Sequence, residues 1–323
     1  MDTPLAVVIL AAGQGTRMKS ELPKCAHRAA GRSLLGHVLK AVSPLKPTHT
    51  VVIVGEGAKQ VKAAVEDENV TFATQDFSTG YGTGHALMQA RDALSDFGGA
   101  VLVLNGDGPL LKTETLARLA ETQGDRRGMT LVTCEVADPT GMGRIVRGED
   151  GSLAQIVEEK DTTPEQKPIS EVNPGVYIFD STVFEKGERL SSDNAAGEYY
   201  ITDLPALYLQ AGDEVRTVLV EDETEVLGVN DRSHLAKIER ILRDRVREQW
   251  LSEGVTMTSP ETTFIDDTVR LEPDVTLEPG VILKGKTRVG RGSSIGAYAY
   301  LEDCEVSAGA SVAPHTVARG ETL

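Results

Sequence analysis

Apolar runs of strand length alternate with amphipathic stretches through the first half of the chain. Residues 5–10, 50–54, 70–73, 100–104 and 129–136 form the runs; 33–42, 58–65, 83–94 and 113–121 form the stretches with polar faces. Short apolar runs followed by helical periodicity predict βαβ units around a largely parallel sheet, an α/β fold. Ligands of such sheets sit beyond the carboxyl ends of the strands, which singles out the loops after Leu10, Ala73 and Leu104. From about residue 141 to 229 the pattern loosens into short strands (172–179, 215–220) and helices (181–189, 200–211). This part reads as an elaboration of the same domain, closing one side of the cleft.

Residues 231–253 change period. Leu235, Ile238, Leu242, Val246 and Trp250 recur at three- or four-residue steps, the single apolar stripe of a linking helix packed on a neighbour. From Val269 six successive hexads place Leu271, Leu277, Leu283, Val289, Ile295 and Leu301 at their third positions. After a one-residue slip, Val306 and Val312 resume the step. A strict six-residue period with Gly or Pro at the corners predicts a left-handed parallel β-helix, one aliphatic per short face pointing inward. About three coils are expected from that repeat. Solenoids need a cap or a continuation, and no polar cap is evident before Leu323, so truncation within the solenoid is expected. Three parts follow: 1–230 as an α/β domain, 231–253 as the linking helix and 254–323 as a partial β-helix.

Charge and cysteine use narrow the partners. Among 323 residues, 33 Lys or Arg face 49 Asp or Glu, a net charge of −16. That argues against nucleic acid or an anionic membrane as a partner, while a local cluster of cations can still hold a small anion. Cys25, Cys134 and Cys304 are far apart and odd in number. They form neither a disulfide framework nor a zinc motif, so a reducing, cytoplasmic setting is expected. The apolar run near the N-terminus is too short to span a bilayer and follows Asp2, which makes it a poor signal peptide.

The loop after the first strand reads Leu10-Ala11-Ala12-Gly13-Gln14-Gly15-Thr16-Arg17-Met18, followed by Leu22-Pro23-Lys24. Glycines at a strand end let backbone N–H groups approach phosphates. Two phosphate-binding patterns fail here: Thr16-Arg17 stands where a P-loop needs Lys-Ser/Thr, and Met18 where a dinucleotide fingerprint needs Gly. Arg17 and Lys24 bracket the loop, an arrangement suited to a polyphosphate whose charge grows on a leaving group. Asp107, in Asn105-Gly106-Asp107-Gly108-Pro109, stands at a strand's carboxyl end, where one carboxylate can help hold Mg²⁺; a turn residue is the plainer reading. Asn230 reads as the N-cap of the long helix. His85 reads as a packing or capping residue.

Leu-x-x-Gly-x-Gly-Thr-Arg-Met followed by Leu-Pro-Lys resembles the signature of sugar-1-phosphate nucleotidyltransferases. With the hexad tail and the order of later motifs, essentially the whole chain resembles the bacterial bifunctional N-acetylglucosamine-1-phosphate uridyltransferase/glucosamine-1-phosphate acetyltransferase family. The resemblance implies a Rossmann-like nucleotidyltransferase domain, a linking helix and a left-handed β-helix that associates in threes. It implies transfer of UMP from UTP to N-acetylglucosamine-1-phosphate, giving UDP-N-acetylglucosamine and pyrophosphate for cell-wall precursors. The sugar's phosphate would attack the α-phosphorus in line, with no covalent intermediate and no general base.

Residue by residue, the resemblance implies Arg17, Lys24 and Asp107 as catalytic groups, and Asp107 with Asn230 (in Gly228-Val229-Asn230) as ligands of Mg²⁺. UTP contacts are implied at Leu10, Ala11, Ala12, Gly13, Gly15, Lys24, Gln75, Gly82, Thr83, Asn105 and Gly106. Sugar-phosphate contacts are implied at Gly143, Glu158, Asn173, Tyr200 and Thr202. Three departures stand out: Pro174 replaces a usual Thr, Asn105 replaces a common aromatic, and the six residues between Gln75 and Gly82 are about two more than the family pattern implies. The family's acetyltransferase residues are implied on coils after Leu323, so no acetyl transfer is expected. Two other readings compete: a sister enzyme of the glucose-1-phosphate/dTTP type, or a scaffolding homologue without activity. Retention of Arg17, Lys24, Asp107 and Asn230 together disfavours the second.

Overall fold

In the computed structural model, which describes residues 3–13 and 15–323, the apolar runs become strands and the amphipathic stretches helices. The strands of the first 230 residues are β1 Leu5–Leu10, β2 Arg28–Ala29, β3 Arg32–Ser33, β4 His49–Val54, β5 Thr71–Thr74 and β6 Ala100–Asn105. They continue with β7 Met129–Glu135, β8 Gly143–Arg147, β9 Leu153–Val157, β10 Glu171–Asn173, β11 Tyr177–Phe179 and β12 Val215–Val220. The helices are α1 Leu34–Val42, α2 Ala58–Ala63, α3 Thr83–Met88, α4 Thr113–Gln123, α5 Val183–Gly187, α6 Leu204–Gln210 and α7 Arg232–Ser252. The chain divides into two compact units: residues up to 27 with 34–230, and 28–33 with 231–323.

The first unit is built on a ten-stranded sheet in the order β5-β4-β1-β6-β11-β7-β10-β8-β9, with β12 alongside β7. β5, β4, β1 and β6 are mutually parallel. The sheet then becomes mixed, since β11 runs antiparallel to both β6 and β7. Continuous apolar runs fit the parallel part because both faces are covered. Along β1, Leu5, Val7 and Ile9 enter the core on one face, Ala6 and Val8 that on the other. Carboxyl ends of β1 and β6 lie side by side, Leu10 opposite Asn105, so the glycine loop and Asp107 leave the sheet at the same edge.

Several sequence-derived boundaries shift for local reasons. The strand expected over 172–179 is two strands, because Pro174 lacks an N–H and Gly175 takes φ +80°. The helix expected over 83–94 stops at Met88 and resumes as a 3₁₀ turn at Asp92–Leu94. The one expected over 200–211 starts with a 3₁₀ turn, Ile201–Asp203, and turns α-helical at Leu204. β8 and β9 carried no sequence signal: β9 buries only Leu153 and Ile156 fully, a spacing of three within a strand.

In the second unit α7 buries Ile238, Leu242, Val246 and Trp250 along one stripe. The β2–β3 hairpin belongs here: Ala30 N donates to Glu239 Oε2 (2.6 Å), Asp267 N donates to Ala30 O (2.8 Å), and Arg32 pairs with Asp267. Short strands then stack in three parallel sheets, as in Thr276–Leu277 on Ser294–Ile295 and Ile282–Lys284 on Tyr300–Glu302. Every inward hexad position from Leu271 to Val312 is buried. Coiling starts earlier than the hexads announce, with Met257 and Ile265 already in this core. Backbone at the corners turns through positive φ, at Gly280 and Gly285 but also at Asp274, Tyr298, Asp303 and His315. Among the described residues, no helix is long and apolar enough to cross a membrane.

Candidate active site

Where β1 ends, Ala11 N still donates to Ile53 O and Gly106 N to Leu10 O (both 2.9 Å), so sheet hydrogen bonding carries the backbone into the loop. Gly15 sits at φ +58°, and a Cβ there would lie 2.8 Å from Lys24 Cβ. Glycine is needed at this crossing. The glycine loop therefore closes over the stem of Lys24, whose ammonium forms an ion pair with Asp107. Gln14 lies outside the described residues.

Asp107 is tied from the other side as well: its carbonyl accepts from Val229 N (3.1 Å), which brings the Gly228–Asn230 segment beside it. Asn230 Oδ1 accepts from the Arg17 guanidinium (3.0 Å). The two candidate cations thus meet the two candidate metal ligands one to one. Asn230 does not cap the long helix; Asp231 does, its Oδ1 accepting from His234 N at 2.9 Å. The reason is local: the Asn230 amide is held by Arg17, while Asp231 at φ −148° has the extended backbone a cap requires.

A cavity of about 250 Å³ opens at this edge. It is lined by Leu10, Ala12, Gly13, Lys24, Gln75, Gly82, Thr83, Asn105 and Asp107, all singled out in the sequence, and also by Cys25, Phe77, Tyr81, Ala86 and Glu198. Phe77 and Tyr81 form a tilted aromatic pair with ring centroids 5.5 Å apart. Sequence reasoning missed them; the extra length between Gln75 and Gly82 was the available signal. Burial pushes the Cys25 thiol up to about 12, with Asp107 adding to the shift, so it stays protonated and inert at neutral pH.

Gly143, Glu158, Asn173, Tyr200 and Thr202 lie outside that lining but join it through two contacts. Asn105 lies across Gly175, which has no room for a Cβ, and Asn173 pairs with Gly143 between β10 and β8. The second contact is a strap: Gly84 N donates to Tyr199 O (2.8 Å), and Ile201 N donates to Thr83 Oγ1 (3.1 Å). Thr202 Oγ1 donates to Glu158 Oε1 (2.9 Å). Burial raises the Glu158 carboxyl, the Thr202 bond opposing and nearby Asp161, Asp203 and Glu198 reinforcing. Burial and the same carboxylates push Tyr200 up to about 12. Asn173 is already engaged, Nδ2 donating to Tyr177 OH (2.7 Å) and Oδ1 accepting from Gly175 N (3.1 Å).

His85 neither caps nor packs passively. It bridges Gln75 and Thr79 through its two ring nitrogens. Among the described residues, no group of three or more His, Cys, Asp or Glu side chains is placed to hold a metal.

Comparison with known proteins agrees with this architecture. Residues 7–256 match the family described as the MobA-like NTP transferase domain. A "Bifunctional protein GlmU" from Thermus thermophilus is 48% identical over 98% of this chain and 69% of that protein. Proteins of the same name from Syntrophotalea carbinolica and Streptococcus equi subsp. zooepidemicus are 44% and 40% identical, over 99% and 98% of this chain and 68% of each. A solved structure from Bacillus anthracis bearing the name glucose-1-phosphate thymidylyltransferase superposes with a TM-score of 0.60. It covers 74% of this chain and 96% of its own at 21% identity, a likeness of fold. On its fold, its glycine loop and its identity to these relatives along nearly its whole length, the chain belongs to the GlmU family of NTP transferases.

Proposed function

We infer that the cleft transfers UMP from UTP to N-acetylglucosamine-1-phosphate, releasing pyrophosphate. One observation carries the reading: Arg17 and Lys24, from the glycine loop, converge on Asn230 and Asp107 at the carboxyl edge of β1 and β6. A polyphosphate entering there exchanges those protein oxygens for its own. Lys24 then holds phosphate oxygens, and Arg17 meets the charge that builds on departing pyrophosphate. The attacking phosphate is already an anion and needs no base, so catalysis consists of positioning and charge neutralisation.

The Asp107 carboxylate and Asn230 Oδ1 are hard oxygen donors, the first paired here with Lys24 and the second accepting from Arg17. That donor set fits a divalent cation, Mg²⁺ above all, which favours one or two protein oxygens together with phosphates and water. When bound there, such an ion would neutralise phosphate charge. At the other end Glu158, with Thr202 fixing its carboxylate, accepts from sugar hydroxyls; Tyr200 and the Gly143 backbone border the same space. Asn173 shapes this end indirectly, by bracing Tyr177 and the Pro174–Gly175 turn.

We assign catalysis to residues 1–230, linkage to 231–253, and association in threes to the β-helix 254–323. The three cysteines, all free and buried, support a reducing cytoplasmic setting. The test is ³¹P NMR of the chain with UTP, Mg²⁺ and either N-acetylglucosamine-1-phosphate or glucose-1-phosphate. Pyrophosphate and a UDP-sugar are expected with the N-acetylated substrate; a product from glucose-1-phosphate alone, or none, would contradict the reading.

A further inference from the structure

We propose that His85 is a positioning residue: it fixes which end of the Gln75 amide faces the nucleotide base, and thereby makes the cleft favour a base with a ring N–H (uracil) over one with a bare ring nitrogen there (cytosine). The inference rests on the uridyltransferase reading for the reaction and adds what sets the direction of base recognition.

The argument follows protons through four contacts. Gln75 is buried, 5% exposed, and lines the cavity. Its Nε2 donates to Gly82 O at 3.2 Å. A carbonyl oxygen only accepts, so the nitrogen end of the amide is identified by its partner. The same Nε2 lies 3.1 Å from His85 Nδ1, which must therefore be a bare, accepting nitrogen. The ring proton then sits on Nε2, 3.1 Å from Thr79 Oγ1. Thr79 donates its own hydroxyl proton to Asp76 O at 2.9 Å, leaving a lone pair for the imidazole. Gln89 Nε2 also lies 3.4 Å from His85 Nε2, but it donates to the His85 carbonyl at the shorter distance of 3.0 Å. Reversing the Gln75 amide would set its Oε1 against Gly82 O.

The ring itself has little freedom. A Cβ on Gly80 would lie 2.7 Å from His85 Cδ2, and Tyr199 stands on a neighbouring side, ring centroids 6.1 Å away. Burial lowers the His85 pKa, with Asp76 opposing, which keeps the neutral form that the relay needs.

Both amide protons of Gln75 are thus taken inside the protein. Its Oε1 accepts no hydrogen bond from the described residues, and it is the atom left to meet a ligand. A lone acceptor complements the N3–H of uracil and repels the N3 lone pair of cytosine. Thymine shares that N–H, so this relay does not separate uracil from thymine. His85 is not among the cavity-lining side chains and acts through Gln75. Without it, one amide proton is released and Gln75 can turn an N–H toward the base.

The experiment compares UTP with CTP in the full chain, by pyrophosphate release and, separately, by calorimetric nucleotide binding. His85→Ala is expected to lower the UTP-over-CTP ratio of kcat/KM about tenfold through KM, the factor carried by roughly one net hydrogen bond. Thr79→Val, a near-isosteric change on an exposed loop, is expected to lower the ratio by less while leaving the fold intact; it decides the matter if His85→Ala does not fold. In a Gln75→Leu background, His85→Ala is expected to change the ratio no further, because both act through one amide. An unchanged ratio in both single variants overturns the proposal. So does equal loss with UTP and CTP, or an undiminished His85→Ala effect in the Gln75→Leu background. If no nucleotide yields pyrophosphate yet the binding ratio falls as described, the reaction reading fails and the relay stands.

Discussion

The two ends of the cleft are built from opposite charges. At the glycine-loop end, two cations are presented on flexible stems, each resting on an oxygen it can exchange: Lys24 on Asp107 and Arg17 on Asn230. At the far end Glu158, Asp161 and Asp203 gather around Tyr200 with Glu198, which also lines the cavity, and the Glu158 carboxylate is held by Thr202. In a chain with net charge −16, Arg17 and Lys24 set a local pair of cations at one end of the cleft. The carboxylates at the other end are acceptors, suited to groups that donate, such as hydroxyls. The difference teaches that the two ends offer different chemistry, which under the proposed function matches phosphate charge at one end and hydrogen-bond donors at the other.

The largest test of that contrast is at the cationic end. Arg17→Ala or Asp107→Ala is expected to lower kcat by about a hundredfold or more, the order found when a preorganised charge is lost; steady-state pyrophosphate release checks it, and unchanged turnover in either variant breaks the assignment. A smaller effect is expected at the acidic end. Glu158→Ala should raise KM for the sugar phosphate about tenfold, the loss of a hydrogen bond to a charged group, with kcat and KM for UTP little changed. A drop confined to kcat would erase the distinction between the two ends.

Smaller still is the pH effect at that end. Burial raises the Glu158 pKa, so on acidification it takes up its proton before an ordinary carboxylate would. The neutral acid is a weaker acceptor, so KM for the sugar phosphate should rise a few-fold as pH falls through that raised value. Glu158→Gln should flatten the profile on the acid side; an unaltered profile would remove Glu158 from sugar binding. The smallest effect on catalysis is expected from the solenoid. Leu283, fully buried in the second unit, should cost about 2–5 kcal/mol of that unit's stability when cut to Ala. Thermal unfolding reads this, and both KM values should stay as they were.

How much of this is legible in the sequence differs by region, for physical reasons. The solenoid is written plainly because each hexad repeats one environment, and Leu277, Leu283 and Ile295 meet the same requirement at a fixed spacing. The parallel strands are legible because burial on both faces demands unbroken apolar runs. β8 and β9 are not, since their partly exposed hairpin tolerates polar residues such as Gln155. In the site, Arg17, Lys24 and Asp107 stand out as charges beside glycines at strand ends. The roles of Asn230 and His85 depend on partners: Arg17 lies 213 positions from Asn230, and the His85 ring nitrogens meet Gln75 and Thr79, ten and six positions away. The Phe77–Tyr81 wall announced itself only as a segment of unusual length.

The most direct test of the account is the initial rate of pyrophosphate release from UTP and Mg²⁺ with N-acetylglucosamine-1-phosphate, measured for the unaltered chain, Asp107→Ala and Glu158→Ala side by side. The account predicts rapid release by the unaltered chain, a kcat collapse in the first variant, and a KM increase for the sugar phosphate alone in the second. Absence of release from the unaltered chain, or the same kinetic change in both variants, would contradict it.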